Sequence, residues 1–503
     1  MIRLLTVACA LLAASCYSPS YTDCGFACAD RACPEGTSCD DKGFCRTPNA
    51  IGECPGVCVT CNNDPTCIDI DNDNANCGGC GIVCPGTDPC FEGVCGGRKV
   101  KELSAGEAHS CALLESGSVH CWGADEFGQL GNAVDVVNCN GRPCRFAPLK
   151  VPLAKARHIA SGGWSTCAVL QDETVSCWGR SELGAIGHDP FADASCMDGK
   201  PCTRTPIAIE GLTEIVEVTL SEFSGCARSR SGAVKCWGLN RYGNAGNGTD
   251  GPESVANLTP VDTSLTGALR VSLSGHYSTH GCALLSGTLF CWGDNSHAET
   301  GHAINTTGDV TCASGEYCAR TPVQVALPSA VGDFFTGALV TCASIGTGQV
   351  YCWGNCADGI VGATGCTGTT FPPTLISVPS AGGFAAVAGK YAHACGTQGQ
   401  GLRTIWCWGL QTNGQLGARN LATETCQTGV CRRTAGAVMP ELKGTPFPAR
   451  GPFTLAVDTV GVAWGWGANT FGQTGHPPLT MGDDMTCPAG SCAYAPVPVQ
   501  GLP

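Results

Sequence analysis

Charge is scarce in this 503-residue chain, with Asp, Glu, Lys and Arg together at 14%. Cations are scarcer than anions, 28 against 42, and the net charge of −14 argues against nucleic acid or an anionic membrane surface as partner. Long apolar runs are missing as well. Residues 4–14 form a run too short to cross a bilayer, and nothing later reaches eighteen apolar residues. Catalytic fingerprints are absent: the chain has no H-E-x-x-H, no G-x-S-x-G, no phosphate loop and no dinucleotide motif. Its ten histidines are scattered. The expectation is a chain that is not an enzyme, with no cofactor, no metal and no catalytic residues.

Glycine and cysteine are abundant instead, at 70 and 40 residues. Frequent Gly between short apolar runs fits many tight turns and an all-β chain. The cysteines ask for an oxidising compartment, and the N-terminus supplies one. Met1-Ile2-Arg3 followed by the apolar residues 4–14 reads as a signal peptide over residues 1–15. Leu12-Ala13-Ala14-Ser15-Cys16 resembles a bacterial lipobox, in which Cys16 would be lipidated and become the new N-terminus. The alternative is ordinary signal cleavage and free secretion. Either way the chain is expected to be exported, as a lipoprotein of the bacterial outer membrane or cell surface that touches membrane through its lipid anchor only, or as an extracellular protein.

Residues 16–97 form a separate Cys-rich segment, with fourteen cysteines from Cys24 to Cys95 and few large apolar side chains. A segment this small and polar cannot bury enough surface alone, so disulfides must take the place of a core. Their connectivity does not follow from spacing. Cys58-x-x-Cys61 and Cys77-x-x-Cys80 also have zinc or redox spacing, but an exported chain this rich in cysteine favours disulfides. The run Asp69-Ile-Asp71-Asn-Asp73 alternates carboxylates like a calcium loop, yet its sixth place is Asn74 and its twelfth Cys80, so a solvated acidic turn is the better reading. The stretches Cys33–Cys39 and Cys77–Cys84 resemble small Cys-rich modules of secreted myxobacterial proteins.

From residue 98 onward one pattern recurs. Trp122, Trp178, Trp237, Trp292, Trp353, Trp408 and Trp466 are each followed by Gly and stand 55 to 61 residues apart. Each copy opens with a β-prone run, passes a Gly such as Gly106, Gly162, Gly275 or Gly389, and continues through a hairpin to the Trp-Gly pair. One copy of three or four strands cannot bury both faces; seven arranged radially can, as a β-propeller over residues 98–503.

The copies are similar to the regulator of chromosome condensation repeat. Residues 106–131 match it best, through Gly106, His109, Ser110, Ala112, Leu113, Gly117, Trp122, Gly123, Gly128, Gln129, Leu130 and Gly131. Gly414-Gln-Leu-Gly417 keeps the ending in the sixth copy, while copies two to five are looser. The resemblance implies a seven-bladed β-propeller preceded by the small disulfide-rich segment.

Six copies carry a cysteine before the Trp and another nine to twelve residues upstream. The pairs are Cys111 with Cys121, Cys167 with Cys177, Cys226 with Cys236, Cys282 with Cys291, Cys342 with Cys352 and Cys395 with Cys407. A turn centred between them sets each pair opposite across a ladder, close enough for a disulfide. The seventh copy has Leu455 and Gly465 there, so both cysteines are missing together. Cysteines installed at those two places are expected to stabilise the domain. A second set sits in the loop after five of the Trp residues, and the third copy lacks it: Cys139 with Cys144, Cys196 with Cys202, Cys312 with Cys318, Cys426 with Cys431 and Cys487 with Cys492. The fifth copy has Cys356 and Cys366, differently placed. Four of these loops have a Pro four places on, at Pro148, Pro206, Pro322 and Pro496. Loops at one place in the repeat should ring one face, as a binding surface or as protection from proteases.

His109 is expected to make a structural hydrogen bond near a turn, and the tryptophans to pack between blades. Arg204, Arg320 and Arg433, two places after a loop cysteine, read as solvated rather than as a basic spot. The chain's end should meet its beginning, with the strand at residues 99–103 beside the last blade.

The favoured function is an envelope-anchored binding or scaffold protein, a monomer whose face loops engage a protein or glycan at the cell surface. The alternatives are a secreted inhibitor resembling β-lactamase inhibitory propellers, for which face aromatics would argue and the loops supply Phe146, Tyr317 and Tyr494, and an enzyme with a dispersed site. Guanine-nucleotide exchange, the activity of the repeat's namesake, would need a GTPase that an exported chain never meets.

Overall fold

The computed structural model of the chain describes residues 38–39, 45–46, 58–59 and 68–503, apart from residues 87, 133–136, 140, 253–255, 275–279, 307, 347, 363–367, 377–382, 399–402, 419–423, 439, 479–482, 486 and 489. It divides into two units, Met1–Arg98 and Lys99–Pro503. The signal peptide, Cys16, Cys366 and Gly275 lie outside the described residues. No helix among them is long and apolar enough to cross a membrane.

The second unit is seven antiparallel sheets of four or five strands, each built from consecutive chain segments. In blade 1 these are Val100–Ala105, His109–Leu114, Val119–Ala124 and Arg142–Lys150, with the short strand Val137–Cys139 added outside. The second and third strands of blade 1 are buried at every position, because a neighbouring blade covers each face. The seven first strands lie next to one another around the axis.

Local chemistry explains the recurring Trp-Gly pair. In all seven blades that Gly has φ between 88° and 109°, a region other residues rarely enter. A Cβ at Gly123 would stand 2.5 Å from the Ala108 carbonyl oxygen. The Trp before it carries the joint between blades. Trp178 Nε1 donates to the carbonyl oxygen of Gln129 in the preceding blade's loop at 2.9 Å. Trp237, Trp292, Trp353, Trp408 and Trp466 do the same to Ala185, Asn244, Glu299, Ile360 and Gln415. Trp122 closes the circle on Gln473 at 3.0 Å. Ser110 Oγ donates to the same oxygen at 2.7 Å, and Val100 N donates to Gly461 O at 2.9 Å, so the last blade meets the first.

The core therefore lies between blades. One cluster joins Leu113, Val119, Leu130 and Val151 at blade 1 to Ile159 and Trp178 of the next. His109 serves the same joint. Its Nε2 is 2.9 Å from Thr166 Oγ1 across the interface, and full burial lowers its pKa to about 3. His280 and His393 pair likewise with Thr341 and Thr454. The loop glutamines are caps: Gln129 Oε1 accepts from Phe127 N, while Asp125 Oδ1 accepts from Leu130 N.

The fourth strand of every blade bulges opposite the Trp-Gly pair. Pro148, Pro206, Pro322 and Pro496 fall on that bulge, where the ladder is already broken and a missing N–H costs little.

In the first unit Cys77 bonds Cys90 and Cys84 bonds Cys95, with Cα atoms 5.6 and 5.2 Å apart, and Cys80 is also disulfide-bonded. Although Cys77, Cys84 and Cys95 sit close together, their sulfurs are used in those bonds. The carboxylates of the acidic run cap turns. Asp69 accepts from Asp71 N and Asn72 Nδ2, and Asp73 from Ala75 N and Asn76 Nδ2, which holds the Asp73 carboxyl below its ordinary pKa.

Candidate functional site: the loop face and the axis

The two cysteine sets occupy different places. The hairpin pairs stand directly opposite in register. Cys111 faces Cys121, Cys167 faces Cys177 and Cys226 faces Cys236. Cys282 faces Cys291, Cys342 faces Cys352 and Cys395 faces Cys407. All six are bonded, with Cα atoms 4.0 to 4.1 Å apart. The loop pairs are diagonal. Cys139 faces Arg142 and Cys144 faces Val137, and the two bonded cysteines have Cα atoms 5.9 Å apart. Cys196 bonds Cys202, Cys312 bonds Cys318, Cys426 bonds Cys431 and Cys487 bonds Cys492 in the same place, at 5.8 to 6.2 Å. Cys356 is also disulfide-bonded. Leu455 stands opposite Gly465, but a Cβ on Gly465 would lie 2.4 Å from the carbonyl oxygen of Thr474. The expectation that cysteines there would stabilise is corrected: backbone already fills the space.

All the loop pairs project on one side of the propeller, the side of the turns between first and second strands, since Ala124 N bonds Ala108 O and Arg180 N bonds Trp164 O. Clamping short hairpins leaves little entropy to lose on binding. Apolar side chains are exposed on this face: Val137, Val310 and Val430 on clamped hairpins and, ahead of the Cys196–Cys202 link, Phe191, which is 95% exposed. A short 3-10 turn, Pro190–Ala192, presents Phe191, with Asp189 capping its N-terminus and His188 Nε2 bonded to Asp193 Oδ2 at 2.8 Å. Beside it a groove of about 400 Å³ is lined by Leu183, Pro190, Pro201, Ala256 and Leu258.

Nearer the axis aromatic rings and cations interleave. Phe127 and Trp164 meet edge to face at 5.7 Å, and Arg180 lies over Phe127 and Phe223 at 5.2 and 4.8 Å. Glu182 pairs with Arg180 and, at 2.6 Å, with Lys200; Arg142 pairs with Glu126 at 2.9 Å. Reading loop cysteines alone therefore undercounts the aromatics of this face. Of those expected, Phe146 and Tyr494 instead pack over Gly472 and Gly414 of neighbouring loops. Arg320 and Arg433 are paired with Asp250 and Glu424, and Arg204 lies near Asp125, so these three arginines of different blades form no basic spot.

At the centre the turns converge. Arg450 of blade 7, 2% exposed, crosses to Glu222 of blade 3, with Nη2 3.1 Å from Oε2, and approaches Glu107 of blade 1 at 3.9 Å. Burial raises the Glu107 pKa, while Arg450 opposes the shift and Glu222 adds to it. Lys390 of blade 6 also crosses, its Nζ donating to Leu220 O at 3.4 Å. Deeper in, equivalent places on five consecutive first strands carry Glu102, His158, Glu217, Arg270 and Asp333. His158 Nδ1 is 2.9 Å from Glu102, Arg270 pairs with Asp333, and Asp333 accepts from Val387 N at 3.0 Å. Desolvation would lower the His158 pKa, but Glu102 and Glu217 outweigh it and raise it to about 9. Sequence reasoning missed every one of these charges, because the signal lies across the copies at one repeat position and not along the chain.

The Regulator of chromosome condensation (RCC1) repeat matches residues 100–129 and residues 116–169. The chain is 25% identical over 328 residues to the ultraviolet-B receptor UVR8 of Arabidopsis thaliana, covering 64% of this chain and 67% of that protein. It is 26% identical over 218 residues to the human E3 ubiquitin-protein ligase HERC2, of which the match spans 4%. Among solved structures, yeast RCC1 (Prp20) bound to Kap60 superposes with a TM-score of 0.61 at 18% identity, over 79% of this chain and 85% of that one. Prp20p from Saccharomyces cerevisiae, described with its binding properties to Gsp1p and histones, gives 0.60 at 17%, over 80% and 88%. These likenesses show the fold, a seven-bladed β-propeller.

Proposed function

We propose that the chain is an exported, envelope-anchored binding or scaffold protein whose loop face engages a protein partner. The RCC1-type relatives support a binding role in general. The observation that carries the reading is the set of apolar side chains exposed on one face, Val137, Val310 and Val430 on clamped hairpins and Phe191 on the blade 2 loop. Rigid loops presenting an aromatic anchor beside an apolar groove suit a protein more than a glycan. Anchoring rests on residues 4–14 and the lipobox-like Cys16. The face aromatics also favour the second reading, an exported inhibitor that covers an enzyme's cleft.

The test is a quantitative pull-down from envelope extract with the wild-type chain, Phe191→Ala, and Val460→Asp on the opposite face. One partner lost at least tenfold with Phe191→Ala and kept with Val460→Asp is the expected outcome. Equal capture by all three would overturn the reading, and binding only to a glycan array would replace the protein partner with a sugar.

A further inference from the structure

The axis holds a second candidate site, distinct from the loop face. The first strands line an open pocket of about 150 Å³, with Leu103, Ser104, Ser272, Phe335, Lys390 and Phe447 in its walls. That is the share of about five water molecules, enough for one small organic ion. Lys390 lines it toward the loop face, where Arg450 also crosses the axis. At the other end lies Arg270, whose side chain is 39% exposed.

The charges around this shaft are unevenly matched. Arg270 has Asp333, and Arg450 has Glu222 with Glu107 further off. Lys390 has no carboxylate within ion-pair distance among the described residues, and its acceptor is one carbonyl oxygen at a long 3.4 Å. An ammonium carries three donors, and this part-buried one has neither a counter-charge nor a close acceptor. Burial and the neighbouring Arg450 lower its pKa to about 8. Hydroxyl groups line the walls: Ser104 Oγ accepts from Ser161 N and keeps its own proton to donate, and Ser272 Oγ lies 2.8 Å from Thr336 Oγ1. The remaining wall is apolar, from Leu103, Phe335 and Phe447.

A cation without a carboxylate partner, set beside apolar walls, is complementary to an amphipathic anion. We infer that the axial cavity binds a short-chain monocarboxylate, with its carboxylate on Lys390 Nζ and its hydrocarbon tail against Phe335 and Phe447. A pocket of this volume suits a tail of about two to four carbons.

Calorimetric titration of the whole chain with sodium butyrate at pH 6.5 is the test. Saturable binding, at least tenfold tighter than that of chloride or inorganic phosphate, is expected, and Lys390→Met should weaken it at least tenfold. Phosphate or chloride binding as tightly as butyrate would remove the apolar subsite, and no saturation at millimolar butyrate would overturn the inference. Should the Lys390 variant not fold, the wild-type chain still decides it. The charged group beside the ammonium is Arg450, itself paired with Glu222 and approached by Glu107, with Arg270 and Asp333 at the far end, and only Lys390 among them is assigned a pKa near 8. Affinity should therefore fall as pH rises from 7 to 9.5, and a constant affinity would place the carboxylate elsewhere. Capture by the loop face does not depend on this outcome, since Phe191→Ala leaves the shaft intact.

Discussion

Six of the seven hairpins are stapled and the seventh is not, and the difference is more than two missing cysteines. In blades 1 to 6 the paired cysteines fill the space between the two central strands. In blade 7 Leu455 is wholly buried, while the backbone at Thr474 lies over Gly465. Trp464 Nε1 adds a bond within the hairpin to Asp458 Oδ2 at 3.0 Å. Phe453 stands where blades 1, 4 and 6 have His109, His280 and His393, as its pairing with Gly467 shows beside those of His109 with Gly123, His280 with Gly293 and His393 with Gly409. Two positions can be equivalent in the repeat and inequivalent in space. A substitution that suits one blade need not suit another.

The largest expected effect comes from erasing the difference downward. Replacing both Cys111 and Cys121 with Ala opens a link that closes ten residues. The loop-closure model assigns such a link about 3 kcal/mol, less any native strain. Denaturant unfolding should show that loss, and amide exchange in His109–Leu114 should rise to the level of Phe453–Asp458. A loss below about 1 kcal/mol would mean that packing around Trp178, not the staple, holds the hairpin.

Erasing it upward should fail. Leu455→Cys with Gly465→Cys forces a side chain against backbone, and overpacking of this kind costs about 1–3 kcal/mol. The expected outcome is a lower melting temperature under oxidising conditions. A higher one would show that the loop around Thr474 yields, and would restore the equivalence of the seven hairpins.

The smallest effect separates blades with the interface histidine from blade 7. His109 and His280 have pKa values lowered to about 3, and His393 to about 4, all by burial. An unfolded histidine titrates near 6.5. Between those values the unfolded chain binds protons that the folded chain refuses, so stability falls as pH drops from about 6.5 toward about 3. His109→Phe, copying blade 7, should lower stability at pH 7 and flatten this acid slope. Urea midpoints at pH 7, 5.5 and 4 measure it, and slopes parallel to the wild type would remove His109 from the account.

The sequence by itself determined whatever repeats or pairs locally. Seven Trp-Gly steps require seven blades, because Gly must turn at positive φ directly after the Trp that seals the joint. The hairpin cysteines are legible because a short turn leaves their strands one register to adopt. Only the tertiary structure decided what meets at the axis. Arg450 and Glu222 are 228 residues apart, and the shaft is lined from several blades at once. Such residues break the repeat where its copies converge, and chain spacing carries no information about which of them will face each other. Phe191 belongs to the same class: apolar in the sequence like any core residue, it is a surface residue because its loop has no blade to cover it.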